Sequence, residues 1–389
     1  MMRRVAIGLV LLLLVAMAGL LLIGPGLVEK SLNKIVAQDL PAPSPAVQAL
    51  HRRLAIADLH ADTLLWQRSL LDPATRGHVD LPRLEAGNVA LQIFSSVTKS
   101  PKGLNYDRNA ADSDDITALA LVQLQPPRTW SSLAERSLWH SAKLHRAEAA
   151  SEGRLRIVRS AADVRRLLAD RAGGKPVTGA MLSVEGLHNL EGKIANLARL
   201  DAAGFRMAGL VHFFDNEVGG SMHGLAKGGL TPFGRQVVRA MEARGMIVDL
   251  AHASPATVRD VLAMARRPVV SSHGGVQATC KVNRNLTDDQ VRGIAATGGL
   301  VGIGYWDGAV CSADPAAIAA AIAHVRGLVG IGHVALGSDF DGSVTTGFDT
   351  SQLVQVTQAL AARGFTEAEI AAVMGGNLLR LLGTALPQR

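Results

Sequence analysis

The sequence lacks the residues that mark several common kinds of protein. It has only two cysteines, Cys280 and Cys311, and therefore neither a CxxC motif nor a cysteine metal cluster. Its net charge is +7, but the basic residues are scattered, without a long Lys/Arg block or an aromatic-interleaved basic stripe. We therefore expect no nucleic-acid partner. Charged residues make up only 19% of the chain and hydrophobic residues 48%, which predicts a sizeable core rather than extended disorder.

The N terminus contains one long apolar run. Arg3 and Arg4 precede "VAIGLVLLLLVAMAGLLLIG", residues 5–24, whose 20 uncharged residues suffice to cross about 30 Å of hydrocarbon as a helix. Basic residues before the run favour a cytoplasmic N terminus and export of the remainder. A cleaved signal peptide is the alternative, because Ala16-Met17-Ala18 resembles a cleavage site. The run continues through Ile23, which favours an uncleaved transmembrane helix.

A linker separates this segment from the rest of the chain. Residues 40–47, "LPAPSPAV", are rich in proline and alanine. We expect residues 1–45 to be a membrane anchor (or signal peptide) with its linker, and residues 46–389 to form one domain. The orientation of the anchor places that domain on the extracytoplasmic side of a membrane.

Eight short apolar segments predict buried strands. They are residues 54–60, 89–96, 178–186, 206–213, 245–252, 267–273, 299–305 and 333–339. Most are continuous apolar runs, which is typical of parallel strands buried on both faces. Helical patterns separate many of them. Two examples are 254–267, with Ser254 as N-cap, and 286–299, with a capping-box pattern at Thr287 and Gln290.

Strands that alternate with helices predict an α/β fold, a (β/α)8 barrel of the TIM type. The stretch 97–177 exceeds a normal crossover, so we expect extra helices near 131–152 and 161–171. A doubly wound open sheet is the alternative, but it should carry a Gly-rich phosphate turn after its first strand. The sequence has His60-Ala61-Asp62 there instead. Near the C terminus, "GGNLLRLL" predicts a helix packed on the barrel, with Asn377 bracing a loop of the site.

Metal-ligating residue types recur at the ends of six predicted strands. In strand order they are His60 and Asp62, Glu185, His212, His252, His273 and Asp339. One such residue is compatible with an ordinary solvated strand end. Barrel active sites lie at the C-terminal ends of the strands, so four histidines and three carboxylates should converge on one rim. The pattern as a whole therefore favours a metal site.

Two metal ions fit this set better than one, because catalytic zinc typically takes three protein ligands and a water. We expect His60 and Asp62 to hold one ion, since residues i and i+2 of a strand face the same side. His252 and His273 would hold the other ion, and Glu185 would bridge the two. Two ions about 3.5–4 Å apart can share a hydroxide that is nucleophilic at neutral pH.

The two remaining residues of the set suit the chemistry itself. Asp339 can shuttle a proton from the hydroxide to a leaving group. His212 can stabilise an oxyanion. This combination predicts a metal-dependent hydrolase.

The chain resembles the membrane dipeptidase (renal dipeptidase) family, within the binuclear amidohydrolase superfamily, over nearly all of residues 50–385. The motifs that carry the resemblance are "DLHADTLLW", "SVEGLHNL", "GLVHF", "IVDLAHAS", "PVVSSHGG", "NRNLTDDQ", "GSDFDG" and "GGNLLRLL". Each motif alone is weak, and together they are specific. The resemblance implies a zinc-dependent dipeptidase that hydrolyses the peptide bond of dipeptides. It also implies two Zn²⁺ per chain, bridged by Glu185 and a hydroxide.

Further residue roles follow from the resemblance. It implies the same five metal ligands, His212 against the tetrahedral oxyanion, Asp339 as the acid/base and Arg284 on the terminal carboxylate of the substrate. A guanidinium can hold a carboxylate through two parallel hydrogen bonds. The exported members of the family carry a bridge between the loops after strands six and seven, which are neighbours in a barrel. The resemblance thereby implies a Cys280–Cys311 disulfide.

Alternative functions remain. One is a related binuclear metal hydrolase that acts on other amides, lactones or nucleobases. Many superfamily members bridge their metals with a carbamylated lysine, whereas Glu185 takes the bridge here, which favours the dipeptidase branch. Another is a non-catalytic binding protein, which should have lost ligands that this chain retains. A homodimer is one option for the assembly. His223 is interpreted as a loop histidine without a role, with a position lining the site as the alternative. His78, His188, His324 and His333 are interpreted as surface or structural residues.

Overall fold

Eight parallel strands close into a barrel and confirm the predicted α/β class and (β/α)8 architecture. The computed structural model describes residues 2–389, without the side chains of residues 2–5, 10, 13–18 and 20. The barrel strands are β1 (Ile56–Ala61), β2 (Val89–Phe94), β3 (Thr178–Glu185), β4 (Phe205–Gly209), β5 (Ile247–Asp249), β6 (Val270–Ser271), β7 (Leu300–Ile303) and β8 (Val334–Leu336). Each strand pairs with the next, and β8 returns to β1 through Leu336 and Asp58. All eight predicted strands are present.

The continuous apolar runs explain why the strands are buried on both faces. One apolar cluster joins alternate strand residues such as Leu59 and Leu91 with Leu378 and Leu382 of the last helix. The intervening residues, such as Ile56, face the surrounding helices in a second cluster. Burial of these two layers is the main source of stability, at about 25 cal/mol per Å² of apolar surface.

Helices surround the barrel and connect its strands. They are Met2–Leu32, Pro45–Arg53, Leu81–Ala86, Asp115–Val122, Arg128–Ser131, Leu133–Ala150, Ala161–Ala172, Ala195–Ala202, Pro232–Ala243, Pro255–Met264, Asp288–Ala296, Asp307–Val310, Pro315–Val329, Val354–Ala362, Glu367–Ala371 and Asn377–Ala385. Ser254 caps its helix by accepting a hydrogen bond from the Thr257 amide, as predicted. The predicted capping box of Thr287 and Gln290 is also present. These caps fix the points at which the loops after β5 and β6 end.

The long connection between β2 and β3 contains the two helices expected there, Leu133–Ala150 and Ala161–Ala172. It also contains two shorter helices and the strand Leu155–Ile157, which pairs with β3 outside the barrel ring. The first part of this connection folds over the carboxyl ends of the strands, where Tyr106 lines the central cavity. The insertion therefore supplies part of a roof over the barrel.

The C-terminal helix Asn377–Ala385 packs on the barrel, as "GGNLLRLL" predicts, but the expected role of Asn377 is wrong. Its side-chain amide donates to the carbonyls of Ile331 (2.7 Å) and Val334 (2.9 Å). Val334 is the first residue of β8 and lies at the end of the strand remote from the site. Asn377 thus fixes the bottom of the barrel rather than a loop of the site.

The N-terminal helix Met2–Leu32 covers the predicted membrane span, residues 5–24. Several side chains of that span lie outside the described residues. Among the residues that the structure describes, no helix is long and apolar enough to cross a membrane. The transmembrane segment is therefore unconfirmed. The chain then forms the short strand Lys34–Ile35, which pairs in parallel with Thr345–Thr346 beyond β8.

A disulfide joins Cys280 and Cys311, whose Cα atoms are 5.4 Å apart. The two residues lie on the loops that follow β6 and β7, which are adjacent strands. The pairing implied by the family resemblance is present. It links two loops at the rim that carries the predicted site residues.

Candidate active site

Barrel closure brings all seven predicted rim residues to one place. His60 lies in β1 and Glu185 ends β3, and the others follow the ends of their strands by one to three residues. Their exposed fractions lie between 1% and 8%, so the whole set is buried. The non-glycine residues His252 and Asp339 have positive φ angles, 63° and 61°. Such conformations cost about 1–3 kcal/mol each and cluster at functional sites.

Glu185 is the centre of the cluster, and its two carboxylate oxygens face different partners. Oε1 lies 2.9 Å from His252 Nε2 and 3.2 Å from His273 Nε2. Oε2 lies 3.7 Å from His60 Nε2. Asp62 completes the His60 side, with Oδ2 3.4 Å from His60 Nε2. Side chains of metal-ligating types thus approach both oxygens of the Glu185 carboxylate.

The donor set fits divalent metal ions. Potential ligand atoms of His60, Glu185 and His273 lie within 4.8 Å of one another, as do those of Glu185, His212 and His252 and those of His60, Asp62 and Asp339. Asp62 Oδ1 is buried without a hydrogen-bond partner in the described structure. A buried carboxylate oxygen without a donor is costly unless a cation neutralises it. Imidazole and carboxylate are also the ligands that zinc accepts.

The charges in the cluster are strongly coupled. Burial alone would lower the pKa of His60, but the carboxylates of Asp62, Glu185 and Asp339 raise it to about 10. Burial, followed by the neighbouring carboxylates, raises the pKa of Asp339 well above its usual range against the opposing effect of His60. Three buried carboxylates thus compete for too little positive charge, which is the situation that bound cations relieve.

Burial lowers the pKa of His273 well below its usual value, so its imidazole is neutral. Ser272 sets which ring nitrogen carries the proton. Its hydroxyl donates to Asp249 Oδ2 (2.5 Å), so its oxygen accepts from His273 Nδ1 at 2.9 Å. The unprotonated Nε2 then faces Glu185, which is the arrangement that a metal-binding histidine requires.

Asp249 and Asp58 are functional residues that the sequence analysis missed. Asp58 accepts from the His60 amide (3.0 Å) and from the Ser338 amide (3.0 Å) and hydroxyl (3.0 Å), so it ties β1 to the loop that carries Asp339. Both aspartates stand inside otherwise apolar strand segments. A carboxylate in a buried strand must be paired, and that signal could have identified them.

His212 and Arg284 flank the cluster. The Lys99 carbonyl lies 3.2 Å from His212 Nδ1, which directs Nε2 toward Glu185 Oε1 at 3.6 Å. Arg284 is 2% exposed and donates to the His273 carbonyl at 2.9 Å. Within the described residues its guanidinium has no carboxylate partner within 4.0 Å. A buried cation without a counter-ion is suited to an anionic ligand.

A cavity of about 420 Å³ lies above these residues. Asp62, Glu185, His212, His252, Arg284 and Asp339 line its polar part. Apolar side chains, among them Leu65, Val97 and Phe213, line the rest. The volume lies in the range of about 300–1,000 Å³ that is typical of small-molecule sites.

His223 lies in a loop, as expected, but its side chain is not idle. It is fully buried, and its ring stacks on Phe213 with centroids 4.7 Å apart. Its Nδ1 lies 2.7 Å from the Tyr106 carbonyl. Phe213 and Tyr106 both line the cavity, so His223 packs behind two of the residues that form its lining. The expectation that it has no role is therefore wrong in structural terms.

The other histidines agree with a structural role. His78 and His188 are buried, and each has a partner: the Asp341 amide lies 3.0 Å from His78 Nδ1, and Thr98 Oγ1 lies 2.8 Å from His188 Nε2. His324 pairs with Asp288 at 2.8 Å.

Known proteins resemble this chain over most of its length. A dipeptidase of Aspergillus oryzae, aclJ, is 30% identical over 383 residues, which are 92% of this chain and 82% of the relative. A crystal structure of a family M19 metallopeptidase, dipeptidase AC, superposes with a TM-score of 0.70 at 25% identity and covers 86% of this chain and 99% of its own. A crystal structure of a Rhodobacter sphaeroides metallopeptidase, liganded with a phosphinate mimic of the dipeptide L-Ala-D-Ala, superposes with a TM-score of 0.69 at 25% identity. The match covers 85% of this chain and 98% of the Rhodobacter chain.

The family comparison agrees with the geometry of the site. The model of the membrane dipeptidase family, peptidase family M19, matches residues 45–387. This region contains every residue of the buried cluster and the whole barrel. The chain therefore belongs to the membrane dipeptidase family and is a metallo-dipeptidase, a hydrolase that acts on peptide bonds.

Proposed function

We propose that the protein is a zinc-dependent dipeptidase that uses two metal ions to hydrolyse the peptide bond of dipeptides. The observation that carries the proposal is the position of Glu185, whose two oxygens face His60 on one side and His252 and His273 on the other. His60 and Asp62 would hold one ion, His252 and His273 the other, with Glu185 between them. When bound, the ions would polarise the scissile carbonyl and lower the pKa of a water to near neutrality.

The residues around the cluster position the substrate and move its protons. Arg284 holds the terminal carboxylate of the dipeptide, because its buried guanidinium lacks a carboxylate partner in the described structure. His212 places Nε2 beside Glu185, where its imidazole can stabilise the oxyanion of the tetrahedral intermediate. Asp339 takes a proton from the attacking water and delivers it to the leaving amine nitrogen.

Arg284 also bears on the alternative, a related hydrolase of other amides or lactones. A lactone or a simple amide without a free carboxylate would leave the guanidinium buried and unpaired. Binding such a neutral substrate is less favourable in free energy than binding an anionic substrate that pairs with the guanidinium. The site therefore favours dipeptides over these substrates.

We further propose that the catalytic domain lies on the extracytoplasmic side of a membrane, held by the N-terminal helix. The charge pattern of Arg3 and Arg4 before the apolar run supports this, as does the Cys280–Cys311 disulfide, since disulfides persist outside the cytoplasm.

Protein isolated from its native compartment under alkylating conditions should contain no free thiol. The Cys280→Ser/Cys311→Ser variant should lose about 3–4 kcal/mol of unfolding free energy in the chain-entropy model, measured by denaturant unfolding. Two alkylated cysteines in the native protein would contradict the proposed location. An unchanged unfolding midpoint in the double variant would show that the bridge contributes no stability.

Metal analysis of the purified full chain should give about two ions per chain, the number that a shared carboxylate bridge accommodates. A chelator should abolish dipeptide hydrolysis, and added zinc should restore it. Glu185→Gln should lose metal and activity together, because an amide cannot bridge two cations. The exposed Glu152→Gln is the matched control and should keep both. A fully active, metal-free wild type would disprove the metal requirement.

The Asp339→Asn variant should keep both metals and lose turnover by about 10²–10⁴-fold, because an amide cannot accept and return a proton. Steady-state kinetics and metal analysis on the same preparation separate the two effects. Asp112→Asn, an exposed loop substitution of the same type, provides the control. Near-normal turnover in metal-replete Asp339→Asn would remove this residue from the proton transfer.

Arg284→Ala should reduce kcat/KM for free dipeptides roughly 10- to 150-fold, the equivalent of about 1.5–3 kcal/mol for a charged hydrogen bond. C-terminally amidated dipeptides, which lack the carboxylate, should lose much less. Arg284→Lys should fall between, since ammonium cannot form the two-pronged contact. Arg292→Ala removes an exposed arginine nearby as the control. Equal losses on both substrate types would place Arg284 outside carboxylate recognition.

A further inference from the structure

Residues 28–36 precede the region that matches the family model, yet they contact the rim of the active site. The family match begins at residue 45. Leu32, in the last turn of the N-terminal helix, nevertheless lines the active-site cavity. This contribution to the site therefore comes from outside the region that the family model matches.

A buried ion-pair chain fixes the helix end in place. Glu29 is fully buried and pairs with Arg68, and its other oxygen accepts from Arg76 Nε at 2.8 Å. Arg68 also donates through Nη2 to Asp341 Oδ2 at 2.6 Å. Asp341 lies two residues beyond Asp339, on the same loop. The N-terminal segment is thereby tied to the loop that carries the proposed acid/base.

Backbone pairing holds the next residues against the same loop. The Ser343 amide donates to Asn33 Oδ1 at 2.8 Å. The Lys34 amide donates to the Val344 carbonyl at 3.2 Å, and the strand Lys34–Ile35 pairs with Thr345–Thr346. Leu32 is thus placed by contacts on both of its sides rather than lying loosely over the cavity.

Leu32 is part of an apolar wall of the cavity. The wall also contains Leu65, Val97, Ile116 and Val344. Val28, one turn before Leu32 on the same helix face, packs on the cluster that includes Leu65 and Val97. Leu32 itself is 40% exposed, which leaves apolar surface available to a ligand.

The position of this wall in the barrel indicates which end of a dipeptide it meets. Leu65, Val97 and Val344 follow β1, β2 and β8, whereas Arg284 follows β6. In a ring of eight strands, β2 and β6 are opposite one another. A dipeptide whose carboxylate is held by Arg284 therefore extends toward the apolar wall with its N-terminal residue.

We propose that residues 28–36 form a wall of the substrate site and that Leu32 is a specificity-determining residue for the side chain of the N-terminal residue of the dipeptide. The inference rests on the proposed dipeptidase function and on Arg284 as the carboxylate anchor. The wall favours large apolar side chains, since one methylene in an apolar pocket changes selectivity by about 10-fold or more.

The test uses the full chain and a series of dipeptides that differ only in the N-terminal residue, from Gly to Leu. Leu32→Ala should lower the ratio of kcat/KM for the Leu-containing to the Gly-containing dipeptide by about 10-fold. Leu32→Met, which conserves volume, should restore most of the ratio. Leu27→Ala is the matched control, because Leu27 lies on the same helix, is 62% exposed and does not line the cavity.

A second measurement does not require turnover. Phosphinate analogues of the two dipeptides are titrated by calorimetry, and Leu32→Ala should weaken binding of the Leu analogue about 10-fold more than that of the Gly analogue. An unchanged ratio in both measurements, or the same change in Leu27→Ala, would overturn the role of Leu32 while wild-type hydrolysis still supports the dipeptidase. A wild type that neither hydrolyses dipeptides nor binds either phosphinate would contradict both proposals.

Discussion

The candidate site is organised around one buried carboxylate. Glu185 lies at the end of β3 with imidazoles on both sides, and Asp62 and Asp339 bring further negative charge into the same space. Burial of three carboxylates together is strongly unfavourable unless cations compensate them. The barrel supplies the rigid frame that holds the five candidate ligands in place, because they come from four different strands of a closed sheet.

The buried carboxylates in and around the site differ in how many hydrogen-bond donors the protein gives them. The supporting carboxylates, Asp58 and Asp341, have ample donors within the protein. Asp58 accepts from the His60 amide, from Gln92 and from the Ser338 amide and hydroxyl, and Asp341 from Thr63, Arg68 and the His78 amide. Burial alone would raise the pKa of Asp341, but Arg68 and His78 hold it well below its usual range. The inner Asp62 keeps a buried oxygen without a partner in the described structure. The protein thus satisfies its supporting acids and leaves the central ones to a ligand of opposite charge.

The sequence was sufficient to predict the barrel and the cluster, for a local reason. Buried parallel strands produce continuous apolar runs, and a polar residue at the end of such a run must lie at the common rim. His60 and Glu185 could therefore be placed from their neighbours alone.

Contacts between distant segments could not be predicted in this way. The partners Glu29 and Arg68 are 39 residues apart, and Arg68 and Asp341 are 273 apart. The same reason explains why the burial of His223 was missed and why Asn377 was assigned to the wrong end of β8.

The residues at the two ends of the cavity suggest a physical reason why the substrate has only two residues. At one end, the buried Arg284 guanidinium favours a free carboxylate over the neutral carbonyl of a continuing chain, because only the carboxylate compensates its charge. At the other end, the ion pairs of Glu29 and the strand pairing of Lys34–Ile35 hold the N-terminal segment over the rim. If Arg284 and residues 28–36 act as proposed, a longer peptide meets this segment, whose buried ion pairs are costly to break because one charge would be left unpaired. The barrel carries the candidate catalytic residues, and the segment before it lines one side of the cavity in which the substrate would lie.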